Sequence, residues 1–369
     1  MINRRKFITL TTASALLGGG ILKAFNRQLQ DTVSNKMQNR TLDSSASLRM
    51  TNKKRDEFSI IKPNALKKGS VIAFTAPASS VTVWELHNAV NFFQKMGCKV
   101  IIGDTVKDRQ RKFKYFSASD EERAKEFMSF IEDKKVNAIM CARGGFGSMR
   151  ILPLLDFNRI RENPKIIAGF SDNTILINSI LVMSKMVTFH SAIASSFFEP
   201  AGFPLVKELL FSEKIFTPIK ITSPLVQTIL GGTAEGTIVG GNLSMLAASL
   251  GTPYEINTKE AILLIEDTLE EPYQIDKMLS QLWLAGKLQD CEGIVVGYMK
   301  NLDTKTHFFP DLSYTIREVI ESRVKSLGKP AIIGLPYGHV ENSIMLPLGV
   351  KAELNATKKT LTLLEPAVS

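Results

Sequence analysis

Cysteine and histidine are scarce in this chain of 369 residues, which contains three cysteines and four histidines. Because Cys98, Cys141 and Cys291 are odd in number and lie in apolar segments, we predict buried free thiols rather than a disulfide framework. The sequence also has no Cys-x-x-Cys and no His-Glu-x-x-His motif, which are spacings typical of zinc sites. We therefore expect no metal centre and no other cofactor.

A basic surface is also missing from most of the chain, although the net charge is +10. Residues 1–55 carry 11 of the 46 Lys and Arg residues but only two of the 36 Asp and Glu residues, so the remainder is nearly neutral. A nucleic-acid partner needs a basic face on the folded body. The charge distribution therefore does not support nucleic-acid binding.

Strong hydrophobicity is also lacking in the N-terminal apolar run, which is weak for a permanent membrane span. Arg4, Arg5 and Lys6 precede Phe7, Ile8 and a run of apolar and small residues through Leu22. This order resembles a twin-arginine export signal, which we place at residues 1–24. Residues 25–57 are polar and are predicted to form a disordered tether. A periplasmic location is expected, and an uncleaved membrane anchor is the alternative.

The rest of the chain predicts an α/β fold in two domains, over residues 58–215 and 230–369. In the first, apolar segments alternate with helical patterns, which favours a parallel sheet. Its strands are predicted at 71–76, 99–103, 137–142 and 165–170, and its helices at 83–96, 120–134 and 148–155 and from about Asn173. Segment 205–230 reads as irregular. The second domain is predicted to be β-rich, with a helix opening at Asn242 and a single helix, 275–285, among the strands that follow.

Ser171 follows the apolar fourth strand in the sequence Gly169-Phe170-Ser171-Asp172, and a helical pattern comes next. A strand, a sharp turn carrying serine and a helix together present a nucleophile, with the backbone N–H of Asp172 facing a developing oxyanion. The match to Gly-x-Ser-x-Gly is partial, because position 173 is Asn. The alternative is a strand that ends in a Ser/Asp helix cap.

A second candidate segment, Arg143-Gly144-Gly145-Phe146-Gly147, follows the third strand. Dinucleotide binding and a phosphate-binding nest are possible interpretations, but the Gly-x-Gly-x-x-Gly spacing is absent. We favour a loop whose glycines allow the backbone to approach a substrate or an oxyanion. Arg143 is suited either to binding a carboxylate or to forming a structural ion pair.

A serine nucleophile needs a base and a carboxylate that orients it. His339 follows the strand pattern 331–334 and is the candidate base, and His190 competes with it. Glu266 and Asp267 end the strand pattern that begins at Ala261, and either can be the orienting carboxylate. Sequence spacing does not show which of these side chains meet.

The order of these motifs resembles the LD-carboxypeptidases, serine peptidases that trim murein peptides and have microcin-immunity peptidases among their relatives. The matching stretches include Gly169 to Asp172 and Gly334 to His339. In chain order they lie within residues 62–69, 142–156, 169–172, 240–254, 265–279 and 334–349. The resemblance implies an α/β sandwich domain followed by a swivelling-type β-rich domain.

The resemblance also implies roles for individual residues. Ser171 would be the nucleophile, His339 the base and acid, and Glu266 the orienting carboxylate. The oxyanion hole would combine the N–H of Asp172 with one from the loop at Gly144 and Gly145. Arg143 and Asn242 are expected substrate contacts. The implied reaction releases the terminal D-alanine of a murein tetrapeptide, and the implied assembly is a homodimer.

Two alternatives remain open. One is a related serine peptidase that cleaves another amide, such as that of a microcin-type peptide–nucleotide, and so gives immunity. The other is a two-domain binding protein without catalysis. The chain departs from the family at Ser191 and Ala192, where members usually have Gly-Pro, so the substrate preference of the pocket remains open.

Overall fold

The structure is a computed structural model that describes residues 59–107, 113–192, 194, 202–211, 216–303 and 312–369. The predicted signal and tether lie outside the described residues. Within the described part of the chain, no helix is long and apolar enough to cross a membrane. The three cysteines are buried and free, as the sequence predicts.

Strands and short helices alternate along these residues. The strands are β1 Val71–Thr75, β2 Lys99–Ile102, β3 Val136–Cys141, β4 Ile166–Gly169, β5 Thr188–His190, β6 Ile219–Ile221, β7 Gln227–Leu230, β8 Thr233–Asn242, β9 Ala261–Asp267, β10 Gly293–Met299, β11 Ala331–Ile333, β12 Leu346–Leu348, β13 Lys351–Asn355 and β14 Thr360–Leu363. The α-helices are α1 His87–Lys95, α2 Asp120–Glu132, α3 Ser148–Ile151, α4 Phe157–Glu162, α5 Thr174–Ser184, α6 Phe203–Leu210, α7 Leu243–Ser249, α8 Pro272–Leu284, α9 Lys287–Asp290 and α10 Ile316–Lys325. Short 3₁₀ turns lie at Val83–Leu86, Leu152–Leu154 and Ser171–Asn173.

The first sheet has the strand order β12-β5-β4-β3-β1-β2, and β1 to β5 are parallel. Its central strands are mostly apolar and buried, and all four residues of β4 are buried. Continuous burial of this kind is typical of a parallel sheet in an α/β fold. The predicted α/β class and the parallel sheet are confirmed. The carboxyl ends of β3 and β4 therefore lie side by side and carry the two candidate loops.

The second sheet has the order β6-β14-β13-β8-β9-β10-β11-β7. Strands β8 to β11 are parallel, and the outer pairs are antiparallel. Two expectations are wrong. Segment 205–230 is not irregular, because it contains most of α6 and both β6 and β7. The expectation of a single helix, 275–285, among the later strands is also wrong, because α9 and α10 follow it. Helix α10 opens with a capping box between Thr315 and Glu318 and buries Ile316, Val319, Ile320 and Val324 on one face.

One segment joins the two sheets near the C-terminal end of the chain. Strand β11 belongs to the second sheet, whereas β12 pairs antiparallel with β5 at the edge of the first. Leu346 lies opposite His190 in that pairing. The residues between Ile333 and Leu346 therefore pass from one sheet to the other, and His339 lies within this crossover.

Candidate active site

Ser171 lies on the sharp turn that the sequence predicts between β4 and α5. Its φ of +59° is in the left-handed region that a residue with a side chain seldom adopts. A Cβ on Gly169 would lie 2.9 Å from Asn173 Cβ and 3.1 Å from Ile177 Cγ2. Only glycine therefore lets the end of β4 pack against the helix that follows. The end of β4, the turn and the start of the helix, residues 169–173, thus form an elbow that lifts the serine side chain off the end of the strand.

Three of the candidate side chains form one chain of contacts. Ser171 Oγ lies 3.1 Å from His339 Nε2, and His339 Nδ1 lies 2.8 Å from Glu266 Oε2. Glu266 is fully buried, and the His339 side chain is 10% exposed. The ring of Phe170 covers the imidazole at a centroid distance of 4.3 Å. The arrangement matches the nucleophile, base and orienting carboxylate of a serine hydrolase in its atoms and distances.

Glycine before the histidine is required by the carboxylate beneath it. Gly338 has a φ of +105°, and a Cβ there would lie 2.6 Å from Glu266 Oε2. The backbone of the crossover therefore rests directly on Glu266 and brings His339 onto it. Gly338 N also donates to Ser343 Oγ at 3.1 Å, which anchors this part of the crossover.

Asp267, the other candidate carboxylate, has different partners. It accepts hydrogen bonds from Asn242 Nδ2 at 3.2 Å, from Ser244 N at 2.8 Å and from Ser244 Oγ at 2.6 Å. Burial raises the pKa of Asp267 above its ordinary value, and these hydrogen bonds offset only part of that effect. Asp267 therefore supports the turn between β8 and α7, while Glu266 faces His339.

His190, the competing histidine, contacts Thr174 instead of Ser171. Its Nε2 lies 3.1 Å from Thr174 Oγ1, and the residue is 1% exposed. Burial, with a smaller contribution from the charge of His339, lowers the pKa of His190 to about 3. The ring is therefore neutral at physiological pH. It contacts Thr174, just after the elbow, and so supports the elbow from below.

The segment Arg143 to Gly147, called the glycine loop from here on, lies directly against the elbow. A Cβ on Gly144 would lie 2.6 Å from Ser171 Cβ and 3.0 Å from the backbone N of Asp172. A Cβ on Gly145, whose φ is +91°, would overlap Ser79 Oγ. Neither position can hold a side chain without moving its neighbour. The loop backbone thus reaches the serine and the amide of Asp172, as the sequence analysis expects of it.

Two residues that the sequence analysis did not assign tie this loop in place. Asn173 Nδ2 donates to Arg143 O at 2.9 Å, and Asn173 Oδ1 accepts from Ser148 Oγ at 2.7 Å. Ser79 N donates to Gly144 O at 3.2 Å, and Ser79 Oγ accepts from Phe146 N at 3.1 Å. The departure from Gly-x-Ser-x-Gly at position 173 was the signal, because its amide joins the elbow to the loop.

The two expected substrate contacts have other partners in the structure. Arg143 is half exposed and points towards Ser80 O at 3.4 Å and Glu85 Oε1 at 3.5 Å. Asn242 is buried, caps α7 by accepting from Met245 N at 3.3 Å, and donates to Asp267. Their roles as substrate contacts stay predictions, and the arrangement favours Arg143 because Asn242 already serves the fold.

Two known protein domains match this chain, one in each half. The LD-carboxypeptidase N-terminal domain matches residues 72–191, and the LD-carboxypeptidase C-terminal domain matches residues 235–354. The chain belongs to the LD-carboxypeptidase family. The resemblance drawn from the motifs is thereby confirmed.

Individual relatives agree with this membership. A probable murein peptide carboxypeptidase of Bacillus subtilis is 40% identical over 315 residues, which are 84% of this chain and 95% of that protein. The Escherichia coli microcin C7 self-immunity protein is 28% identical over 343 residues, 82% of this chain and 96% of that protein. The family match and the carboxypeptidase relatives together show that the chain is a serine-type carboxypeptidase.

Solved structures confirm the fold class. A muramoyltetrapeptide carboxypeptidase from Oxalobacter formigenes has a TM-score of 0.68 at 27% identity, covering 80% of this chain and 98% of that one. A microcin C7 self-immunity protein in complex with aspartyl sulfamoyl adenosine has a TM-score of 0.74 at 23% identity, covering 84% of this chain and 100% of that one. The two-domain division into 58–215 and 230–369 stays a prediction.

The buried neutral His190 predicts how the protein responds to acid. In the unfolded chain this histidine takes up a proton below its ordinary pKa of 6.5, whereas in the folded chain it stays neutral down to about 3. Its contribution to stability is therefore complete above pH 6.5 and is lost as the pH falls. The loss is about 1.4 kcal/mol per pH unit, or roughly 3 kcal/mol at pH 4.5.

Urea unfolding at pH 7.5 and 4.5 measures this effect. The His190→Gln variant should lose less free energy of unfolding between the two pH values than the wild type does. His87→Gln, which removes an exposed histidine, is the matched control. An equal acid dependence in His190→Gln and wild type would show that His190 is protonated in the folded protein.

Proposed function

We propose that the protein releases the terminal D-alanine of murein tetrapeptides through an acyl-enzyme formed on Ser171. The observation that carries this proposal is the hydrogen-bonded chain from Ser171 through His339 to buried Glu266. The B. subtilis relative at 40% identity is a probable murein peptide carboxypeptidase, which supports the substrate class.

Acylation begins with the serine. Ser171 Oγ attacks the carbonyl carbon of the amide that precedes D-alanine, and its proton passes to His339 Nε2. Glu266 accepts the Nδ1–H bond and stabilises the imidazolium, because the carboxylate is buried and held 2.8 Å away. The C–N bond then breaks, and His339 returns the proton to the departing amine of D-alanine.

The tetrahedral oxyanion needs N–H donors that are already in place. The N–H of Asp172 and an N–H of the Gly144–Gly145 backbone are the donors proposed here, because the loop backbone lies against Ser171 and the amide of Asp172. Donors fixed by the fold need no reorganisation when the negative charge develops. Their contribution is therefore largest in the transition state.

Deacylation reverses the roles. Water loses a proton to His339 Nε2 and attacks the acyl carbonyl, and the proton then returns to Ser171 Oγ as the ester bond breaks. The products are the shortened peptide and free D-alanine. Arg143, half exposed at the start of the glycine loop, is the residue proposed to hold the free carboxylate of the substrate.

The first test is mass spectrometry of a murein tetrapeptide incubated with the protein. The wild type should remove one alanine, and Ser171→Ala should lower the rate by about 10⁴-fold or more, because the nucleophile is lost. Aminoacyl sulfamoyl adenosine serves as a second substrate. Cleavage of that compound with no cleavage of the tetrapeptide would contradict the murein assignment. Equal alanine release by both proteins would exclude Ser171 as the nucleophile.

Two neighbouring carboxylates allow a matched comparison of the orienting role. Glu266→Gln should lower kcat by about 10³- to 10⁴-fold, because the amide cannot stabilise an imidazolium. Asp267→Asn changes a buried carboxylate in the same strand and should chiefly lower the melting temperature, because its hydrogen bonds hold Ser244 and Asn242. Steady-state kinetics and thermal unfolding of both variants separate the roles. A larger loss of kcat in Asp267→Asn would reverse the assignment.

We also propose that the protein acts outside the cytoplasmic membrane, exported by the signal at residues 1–24, and that it works as a homodimer. Fractionation of cells that express the full chain tests the export. Arg4→Lys together with Arg5→Lys should retain the protein in the cytoplasm, since the paired arginines are what the export pathway reads. Lys6→Arg is the control for a basic residue in the same stretch. Unchanged export of the double variant would contradict the twin-arginine assignment.

A further inference from the structure

Arg123, in α2, is one of the largest fully buried side chains of the described residues. Its guanidinium donates to the backbone carbonyls of Pro77, Gly147 and Ala118, at 2.9 Å for Gly147 and 3.3 Å for Ala118. It also pairs with Asp120. A fully buried arginine is rare unless its charge is compensated and its donors are used. Here the donors reach three separate loops.

The contact with Gly147 is part of a clamp on one peptide group. Arg123 Nη1 binds the carbonyl oxygen of Gly147, while the N–H of the same peptide, on Ser148, donates to Asp172 Oδ2 at 2.8 Å. This peptide is therefore held from opposite sides by a buried cation and by the carboxylate that follows the nucleophile. It ends the glycine loop that begins at Arg143.

The clamp needs the glycine in that position. Gly147 has a φ of +140°, and a Cβ there would lie 2.8 Å from Arg123 Nη1 and 3.0 Å from Phe116 Cδ1. The guanidinium also lies 5.0 Å from the centre of the Phe116 ring, which covers it. Loop backbone and guanidinium are thus packed as closely as the atoms allow.

The other end of the loop touches the reacting groups. Gly144 lies against Ser171 Cβ and the amide of Asp172, and Arg143 O is bound by Asn173. Gly147 is only three residues from Gly144 along the chain. A movement of the peptide at Gly147 therefore shifts the backbone that contacts Ser171. Shifts of about 1 Å at groups that stabilise a transition state are enough to cost about 100-fold in rate.

We infer that Arg123 is a positioning residue that holds the glycine loop in register with Ser171, so that the loop N–H and the N–H of Asp172 converge on the oxyanion. This inference rests on the proposed acyl-enzyme mechanism. Arg123 itself contacts no reacting atom. Its role is to fix the clamped peptide, and through it the geometry of the oxyanion hole.

A structural role alone is the alternative, and the chain offers a matched control for it. Lys165 is another buried cation, 6% exposed, and donates to Asp133 O at 2.8 Å and Val136 O at 2.6 Å. It precedes β4, at the opposite end of that strand from Ser171. Lys165→Met therefore removes a buried cation that cross-links backbone without touching the glycine loop.

The experiment compares Arg123→Met, Arg123→Lys and Lys165→Met with the wild type. Each is assayed for kcat and KM at a temperature where its thermal unfolding curve shows it fully folded. Arg123→Met should lose about 100-fold in kcat with KM changed less than about twofold, as expected for an interaction made in the transition state. Arg123→Lys should fall in between, because an ammonium cannot reproduce the planar fork. Lys165→Met should melt earlier and keep its kcat.

Labelling of Ser171 by a fluorophosphonate supplies a readout independent of the substrate. The labelling rate depends on the nucleophile and the oxyanion hole, so Arg123→Met should slow it while Lys165→Met should not. If the wild type is labelled but cleaves no tetrapeptide, the proposed function fails and this arm still tests Arg123. A folded Arg123→Met with wild-type kcat and labelling would overturn the inference. So would an equal loss of kcat in Lys165→Met.

Discussion

The 3.1 Å contact between Ser171 Oγ and His339 Nε2 is the constraint on which the candidate site depends, because its two atoms come from different parts of the fold. The serine stands at the end of β4 in the first sheet. The histidine lies in the crossover that leaves the second sheet after β11 and enters the first as β12. Pairing of Leu346 with His190 fixes the far end of that crossover beside the elbow. Gly338, resting on Glu266, fixes its near end.

The left-handed backbone conformation of Ser171 is tolerated because the residues packed around it hold the turn in place. The buried apolar residues of β4 hold the turn from below, and Asn173 ties it to the glycine loop at its side. Strain of this kind persists only where the neighbouring structure imposes it. The glycine loop is restrained at both ends as well, by Asn173 at Arg143 and by the clamp at Gly147. Rigidity at this edge of the sheet is therefore distributed over several loops.

The sequence predicts the parts of the site that depend on local patterns. An apolar strand, a glycine and a serine before a helix indicate the elbow at Ser171, and the glycines after the third strand indicate a loop of close approach. Local patterns alone leave Glu266 and Asp267 as equal candidates, and the resemblance to the family is what assigns the orienting role to Glu266. Successive side chains of a strand point to opposite faces, so only one of the two can meet His339, and the apolar pattern of the strand does not say which.

Contacts between distant segments are what the sequence does not reveal. Arg123 follows a capping box in a helix rich in charged residues, a setting typical of an exposed side chain, yet three loops converge on it. Strand β12 is three residues long with proline at its centre, a pattern with little strand signal outside a sheet edge. Helix α10 is different: the sequence analysis missed it, although its capping box and apolar spacing are present in the sequence.

The crossover has a consequence for how the chain can be divided. The family's two domains match separate stretches, 72–191 and 235–354, which suggests that the chain could be expressed as two separate fragments. One of the two edge strands of the first sheet, β12, however, is encoded in the second stretch. A fragment ending near residue 191 would present β5 as a bare edge of apolar backbone, the kind of edge that recruits other chains and aggregates. The two halves of this gene are therefore expected to be soluble only together.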